Sequence, residues 1–595
     1  MTEQLLLNGE VQSIKYHIMY KLFQNNIKQL NIGDVQGTLF NTFNCDLTYN
    51  KGKMSVAPRT RITTNTITNM GTPCAFAFYN DVYYSIMGTR LFKASNPQGA
   101  FTVVVEGGGS PYVAPTDCDA RYSDLTIFNG QLIISTESRI YRMDTSERFD
   151  VIDTGLSSAQ VRPLAVYNGR LYWTDLHYQI FSCDTAYTVA TLLTNYTLTL
   201  PTNEVITFIK PNSAGLYIGT TKNDSSEGFV IDWDAKLWDG NGTRAKYNVY
   251  AQGALSAYVD NRLFYVMNSD AVLLQFNGGK FVEVARLPVR RNALYNANAT
   301  GSSGSDRFIH PNGMTLIDNN LSLLINSTNN DGSGTQDENI PSGIWEFMPE
   351  SNSLYHKYSM SYNTIGGTQY DNGQIVLKGV GALFNTYDLL SFSNAQKGNF
   401  LAGASFYSDA TTVGYGAFTD NYFDDEQKAG YFSTVQLRTE RFEDMWQRVT
   451  TLYTPSSSFN FVWKYRKKRT DHIDFTITWV STTTFTTTQV GIVEGDEITI
   501  IQGKGSGRVA HVVGTPTFSS PNYTVTLDEA IINVSGTAKA RLQKWKKIGI
   551  INNIDRFYQE VVIGNPSTLI ELKCAMVAIS EATIDELILD NKLNK

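Results

Sequence analysis

Charge is what this chain has least of. Only 18% of its 595 residues are Asp, Glu, Lys or Arg, against about a quarter in an average soluble protein. The formal net charge is -7, which argues against a general nucleic-acid binder, although a whole-chain average hides local patches. Histidine is scarce as well. The six, at 17, 177, 310, 356, 472 and 511, share no metal-ligand spacing. Cys45, Cys74, Cys118, Cys183 and Cys574 are odd in number and irregularly spaced. They exclude a disulfide framework or a zinc site, and read as buried thiols of a protein made in a reducing cytoplasm. No apolar run reaches membrane-spanning length, and Leu5-Leu6-Leu7 is too short for a signal core. A soluble protein with no membrane span and no glycosylation at its Asn-x-Ser/Thr triplets is therefore expected. No nucleophile elbow or Walker loop occurs. Gly503-Lys-Gly-Ser-Gly507 runs into a strand pattern rather than a helix, so it reads as a hairpin turn. No cofactor is expected.

Aromatic hairpins, in contrast, are abundant. Val166-Tyr-Asn-Gly-Arg-Leu-Tyr-Trp173 places three β-formers after the turn pair Asn168-Gly169, and Ile180-Phe181 begins a second strand. Such a unit cannot bury its apolar face alone and needs copies beside it. Upstream copies begin at Phe78 and Phe128. Downstream ones begin at Ser213, Val259, Ile317 and Tyr370, the last pairing with Ala382-Leu-Phe384. Seven copies at a spacing of roughly 40 to 60 residues fall in the range of a four-stranded propeller blade. The expected fold is all-β, a β-propeller of about seven blades over 61–430.

Residues 1–60 form an N-terminal segment leading into it. Ile14, Ile18, Leu22 and Ile27 recur at helical spacing, while Tyr16 and Tyr20 favour extended structure, so both readings stand for 10–30. Beyond 430 the pattern alternates in period two, as in Phe459-Asn-Phe-Val-Trp463 and Ile473-Asp-Phe-Thr-Ile-Thr-Trp479. A C-terminal β-sandwich over 431–490 and 541–595 is expected, interrupted by a small barrel-like β module at 491–540. Asn296–Arg307 and Asn326–Gly334 read as propeller loops.

Candidate chemistry is sparse. Asp424-Asp425-Glu426 offers paired carboxylates but reads as a solvated loop. Ser327, Asp331 and Glu338 mimic part of a calcium loop without its opening Asp. Trp463, Lys464, Arg466, Lys467, Lys468 and Arg469 form the densest basic run. One reading is a phosphate-contacting patch with Trp463 and Tyr465 stacking on bases. The other, preferred on the overall acidity, is a charge-protected edge strand or an ion-pairing surface for an acidic neighbour.

Asn44-Cys-Asp-Leu-Thr-Tyr-Asn-Lys-Gly-Lys-Met-Ser-Val-Ala-Pro-Arg59 resembles the opening segment of the propeller-bearing tail proteins of short-tailed bacteriophages, the nozzle or tail-hub family. Thr583-Ile-Asp-Glu-Leu-Ile-Leu589 resembles a closing strand of such proteins, and the stretch from 503 to 511 resembles their inserted modules. The resemblance implies a non-enzymatic structural virion protein of the phage tail. It would form a hexameric ring that extends the DNA-ejection channel. Its partners would be copies of itself, connector or adaptor and fibre proteins, and passing viral DNA held without sequence specificity. The basic run would then face a protein neighbour and not the channel. A receptor- or glycan-binding adhesin is the alternative, and a propeller glycoside hydrolase a third reading. One consequence is independent of function. Gly169→Val should destroy a turn that needs positive φ, and a melting temperature within about a degree of wild type would contradict the hairpin assignment.

Overall fold

A computed structural model describes residues 11–15 and most of 39–593. Outside it lie 1–10, 16–38, 594–595 and connecting segments, the longest being 288–308, 327–341, 361–376 and 387–398. The described residues form strands and connections, with no helix among them. Val11–Lys15 is a strand, so the extended reading holds there.

Six consecutive four-stranded antiparallel meanders follow one another from Pro73 to Tyr358. Their first strands are Pro73–Tyr79, Leu125–Phe128, Ala165–Tyr167, Glu204–Pro211, Ala254–Val259 and Met314–Ile317. Local chemistry sets the hairpins. Tyr79 pairs with Val82, Phe128 with Gln131, Tyr167 with Arg170 and Ile317 with Asn320, which leaves two-residue loops. In all four loops both residues have positive φ, including Asn168 at 47° and Gly169 at 71°. That is the turn whose twist matches the flanking strands, and Asn, Asp and Gly adopt it at least cost.

A seventh sheet closes the series. It joins Leu377–Asn385, Phe400–Tyr407 and Val413–Asn421 to Arg59–Ile62, a strand from the other end of the sequence. The seventh repeat is thus offset from its expected position. Leu377–Asn385 is one continuous first strand, not the two halves of a hairpin, and Tyr370 to Val376 lie outside the described residues. The first strand of each sheet packs against the first strand of the next, and that of the seventh against that of the first.

Apolar side chains fill each gap. Leu132 and Ile134 join the cluster shared with the first sheet, whereas Ile133 between them joins Leu171 and Trp173 of the third. Tyr172 points the other way, to Trp233 of the fourth. Sheets buried on both faces explain why these strands read as unbroken apolar runs. Phe76, Tyr83 and Phe92 of the first sheet meet Ala382, Leu401 and Ala417 of the seventh, which completes seven interfaces.

Two further sheets stand face to face. One contains Val11–Lys15, Thr583–Leu593, Asp444–Thr454 and Tyr558–Ser567. The other is built on Leu39–Phe43, Lys428–Thr434, Leu569–Ala578, Phe459–Arg466 and Lys546–Ile551. Trp446, Val449 and Tyr453 from the first meet Phe461, Trp463, Leu572 and Met576 from the second in one core. The N-terminal segment therefore supplies strands to this sandwich before it reaches the ring. His472–Trp479, which alternation assigns to the sandwich, pairs instead with Thr537–Gln543 in a separate seven-stranded sheet. The inserted unit accordingly spans 472–543. An added bridge from Val512 to Leu527 brings its two ends together around Ile477, Phe485, Ile498 and Leu542.

The seam between the seventh and first sheets has no room for a side chain at two glycines. A Cβ on Gly403 would lie 2.0 Å from the Pro73 carbonyl oxygen, and one on Gly381 1.8 Å from it. Gly403→Ala should therefore destabilise the protein by about 1–3 kcal/mol. Gly108→Ala, where a Cβ meets nothing within 4 Å, should change little. Equal denaturation midpoints for the two variants would contradict a tight seam.

Candidate functional site

Of the basic run, Trp463, Lys464 and Arg466 are buried. Phe459–Arg466 turns Phe461, Trp463 and Tyr465 into the sandwich core, so Trp463 is unavailable for stacking on a base. Lys464 and Arg466 point to the opposite face, where the inserted unit covers them. Lys464 Nζ lies 2.7 Å from Glu497 Oε2, and Lys573 Nζ lies 2.6 Å from Oε1 of the same carboxylate. Burial alone would push Glu497 up, but Lys464 and Lys573 outweigh it and hold the carboxylate well below its ordinary range. Arg466 grips Glu571 through Nε and Nη2 at 3.0 and 3.2 Å, donates to Gln543, and stacks over Trp545. His511 bridges Asp528 at 3.1 Å and the Lys464–Glu497 pair. The acidic neighbour required by the ion-pair reading is therefore in the same chain. Lys467 is half-buried, and Lys468 and Arg469 lie outside the described residues.

A second buried polar joint ties the sixth ring sheet to the N-terminal strands. Lys357 Nζ is 2.8 Å from Glu346 and 4.0 Å from Asp46, all three within the protein. Burial opposes the charge on Lys357, but Asp46 and Glu346 together hold its pKa well above the ordinary value. Next to it, His356 stacks on Phe43 with ring centroids 5.2 Å apart. The Asn44 amide donates to Nδ1 at 3.0 Å. Nε2 therefore carries the proton and donates to the Ser342 carbonyl at 3.0 Å. Burial pushes this imidazole down to about 4.

The third constellation lies within the ring. Lys210, from the first strand of the fourth sheet, donates to Asn312 Oδ1 at 3.3 Å. Asn312, just before the first strand of the sixth sheet, donates through Nδ2 to Asp124 Oδ1 at 2.9 Å. Asp124 precedes the first strand of the second sheet, and its other oxygen accepts from the Leu164 amide at 3.0 Å. Burial raises Asp124 and lowers Lys210, each partly offset by the other. No spacing in the sequence announces this cluster, because its members are separated by 86 and 102 residues of repeat. The usable signal is a charged residue at the inner strand of an otherwise apolar repeat.

The other candidates are not brought together. Asp424–Glu426, the Ser327–Glu338 loop and the Gly503–Gly507 turn lie outside the described residues. Among the described residues, no group of three His, Cys, Asp or Glu side chains could hold a metal ion. No helix among them is long and apolar enough to cross a membrane. All five cysteines are buried free thiols.

No protein-family model matches the chain, and no curated protein matches it. Among solved structures it is similar to a computationally designed protein, Ika8, at 12% identity and a TM-score of 0.32, covering 60% of this chain and 99% of that one. It is similar to the extracellular domain of a hybrid two-component system from B. thetaiotaomicron at 10% identity and a TM-score of 0.35, covering 78% and 47%. For Chaetomium thermophilum Raptor the values are 8%, 0.36, 64% and 30%. The chain thus spans under half the length of the last two. At these TM-scores none of the likenesses bears on what the chain does.

The His356 joint has a defined pH signature. An imidazole whose folded pKa lies below its ordinary 6.5 favours folding when neutral, so its contribution is complete above pH 6.5 and is lost as pH falls towards 4. His356→Gln cannot titrate. Its deficit relative to wild type in urea unfolding should therefore shrink by about 3 kcal/mol between pH 7 and pH 4. A deficit that stays constant over that range would show that His356 is not held neutral.

Proposed function

We propose that this chain is a non-enzymatic structural protein of a short-tailed phage tail, with a seven-bladed β-propeller, a β-sandwich and an inserted barrel-like module. Copies associate into a ring, hexameric in the resembled family, that lengthens the DNA-ejection channel and anchors neighbouring tail proteins in the virion. The observation that carries the reading is the outer face of the first sandwich sheet. Along Tyr558–Ser567, Val561 and Ile563 point inward, while Tyr558 and Val562 point out with 58% and 63% of their surface exposed. Phe557 and Ile554 beside them are also exposed, and Leu452 is the register partner of Tyr558. Arg448 and Glu560 form a 3.1 Å ion pair in the middle of this face. Exposed aromatic and aliphatic side chains gathered on one face mark a protein–protein contact surface.

The low overall charge supports the same reading, as do the two buried polar joints. They tie ring, sandwich and inserted unit to one another, which suits a part that bears load over one that must flex. The occupant of the apolar face is a second copy of the chain.

Light scattering on the purified protein should give a closed oligomer, and Tyr558→Glu with Val562→Glu should give a monomer that melts as wild type does. A wild type that remains monomeric at every concentration and alongside the particle's other tail proteins would refute the ring.

A further inference from the structure

We infer that Lys210, Asn312 and Asp124 form an axial latch that ties the second, fourth and sixth sheets together across the ring and closes its axis to any threading polymer. Within the series each sheet packs its faces against its immediate neighbours, and the sixth also meets the sandwich through Met348 and Tyr355. Sheets two, four and six are separated from one another by at least one whole sheet, so their side chains can meet only where all first strands converge. The Lys210–Asn312 and Asn312–Asp124 hydrogen bonds, at 3.3 and 2.9 Å, are such meetings.

Further bonds hold the same short segment from other sides. The Leu383 amide of the seventh sheet donates to the Asn312 carbonyl at 2.8 Å. Ser256 Oγ of the fifth sheet donates to the Pro311 carbonyl at 2.9 Å. The Leu164 amide, at the start of the third, donates to Asp124 at 3.0 Å. Six of the seven sheets are therefore joined at the axis by polar contacts. Opening the axis would strand partly buried amide and charged groups without partners. Displacing a loop is cheap by comparison, so this region is the stiff centre of the ring.

One consequence rests on the proposed tail assembly. Where copies surround a conduit, the conduit runs between copies and is lined by their outer surfaces, not along the axis of any one ring.

The latch is tested on the isolated protein, so its failure is distinct from failure of the assembly reading. Asn312→Ala, Asp124→Ala and the double variant are compared by urea unfolding, with Lys210→Met and its double with Asn312→Ala as the second arm. A latch predicts coupling. The double variant should lose at least about fivefold less in its unfolding equilibrium constant than the product of the single losses. In folded wild type, acylation of Lys210 should be slower than that of the exposed Lys280, and Asn312→Ala should speed it severalfold. Additive losses in both arms, or Lys210 acylated as fast as Lys280 in wild type, would overturn the inference. If any alanine variant fails to fold, the wild-type acylation comparison alone decides.

Discussion

Everything in the larger part of this protein depends on closure. Each four-stranded sheet is apolar on both faces and can be satisfied only by a neighbour on each side. An open arc of seven would leave two faces bare, and the seventh sheet would lack its fourth strand. Arg59–Ile62 supplies that strand from the opposite end of the sequence. Thr60 is buried there and its hydroxyl donates to the Ser359 carbonyl at 2.6 Å, which also fixes the seam strand to the sixth sheet. Closure therefore makes the seam contact a condition for all the others. The close approach of Gly381 and Gly403 to Pro73 is the steric mark of that seam.

The same strand continues, in the N-terminal direction, into the sandwich. Cys45–Asp46 and Ser55–Val56 form a small hairpin, and Leu39–Phe43 pairs with Lys428–Thr434. One segment thus closes the ring and completes the adjoining sheet, and the joint between them holds a buried polar cluster beside the apolar Met348 and Tyr355. Asp46, Glu346 and Lys357 are each almost fully buried. Pairs of this kind return little net stability, because desolvation consumes most of the attraction. Removing one partner nevertheless costs about 3–5 kcal/mol, because it leaves a buried charge uncompensated. Their effect is to penalise any wrong seating of ring on sandwich. The Lys464–Glu497–Lys573 group does the same between sandwich and inserted unit.

The repeats were legible because their turns are local. Asn80-Asp81, Asn129-Gly130, Asn168-Gly169 and Asp318-Asn319 take positive φ and lie between short apolar strands, so hairpin and register follow from a few adjacent residues. The seventh copy misled because Asp371-Asn372-Gly373 carries the same signature, while the strand that matters begins after it at Leu377. Strand Arg59–Ile62 was invisible as a ring element because its partner lies more than 350 residues away. The basic run misled for a different reason. Its sequence reads as an exposed patch with Trp463 and Tyr465 free to stack, or as an ion-pairing surface for a separate acidic neighbour, and nothing in the run itself signals that the inserted unit covers Lys464 and Arg466. The clue was the counter-pattern in Leu569-Ile-Glu-Leu-Lys-Cys574, where Glu571 and Lys573 sit singly between fully buried apolar residues. Isolated charges in an apolar strand are seldom buried unless paired. The axial cluster could not be read from spacing at all, since it exists only once the ring has closed.

The most direct test of closure is hydrogen exchange followed by mass spectrometry on wild type and Thr60→Pro. Proline in the seam strand removes an amide donor and distorts pairing with Val413–Asn421. If closure holds the ring together, protection should fall in the seventh sheet, in the first sheet across the seam, and around the remaining five. Loss of protection confined to residues near 59–62, with the other sheets exchanging as in wild type, would contradict it.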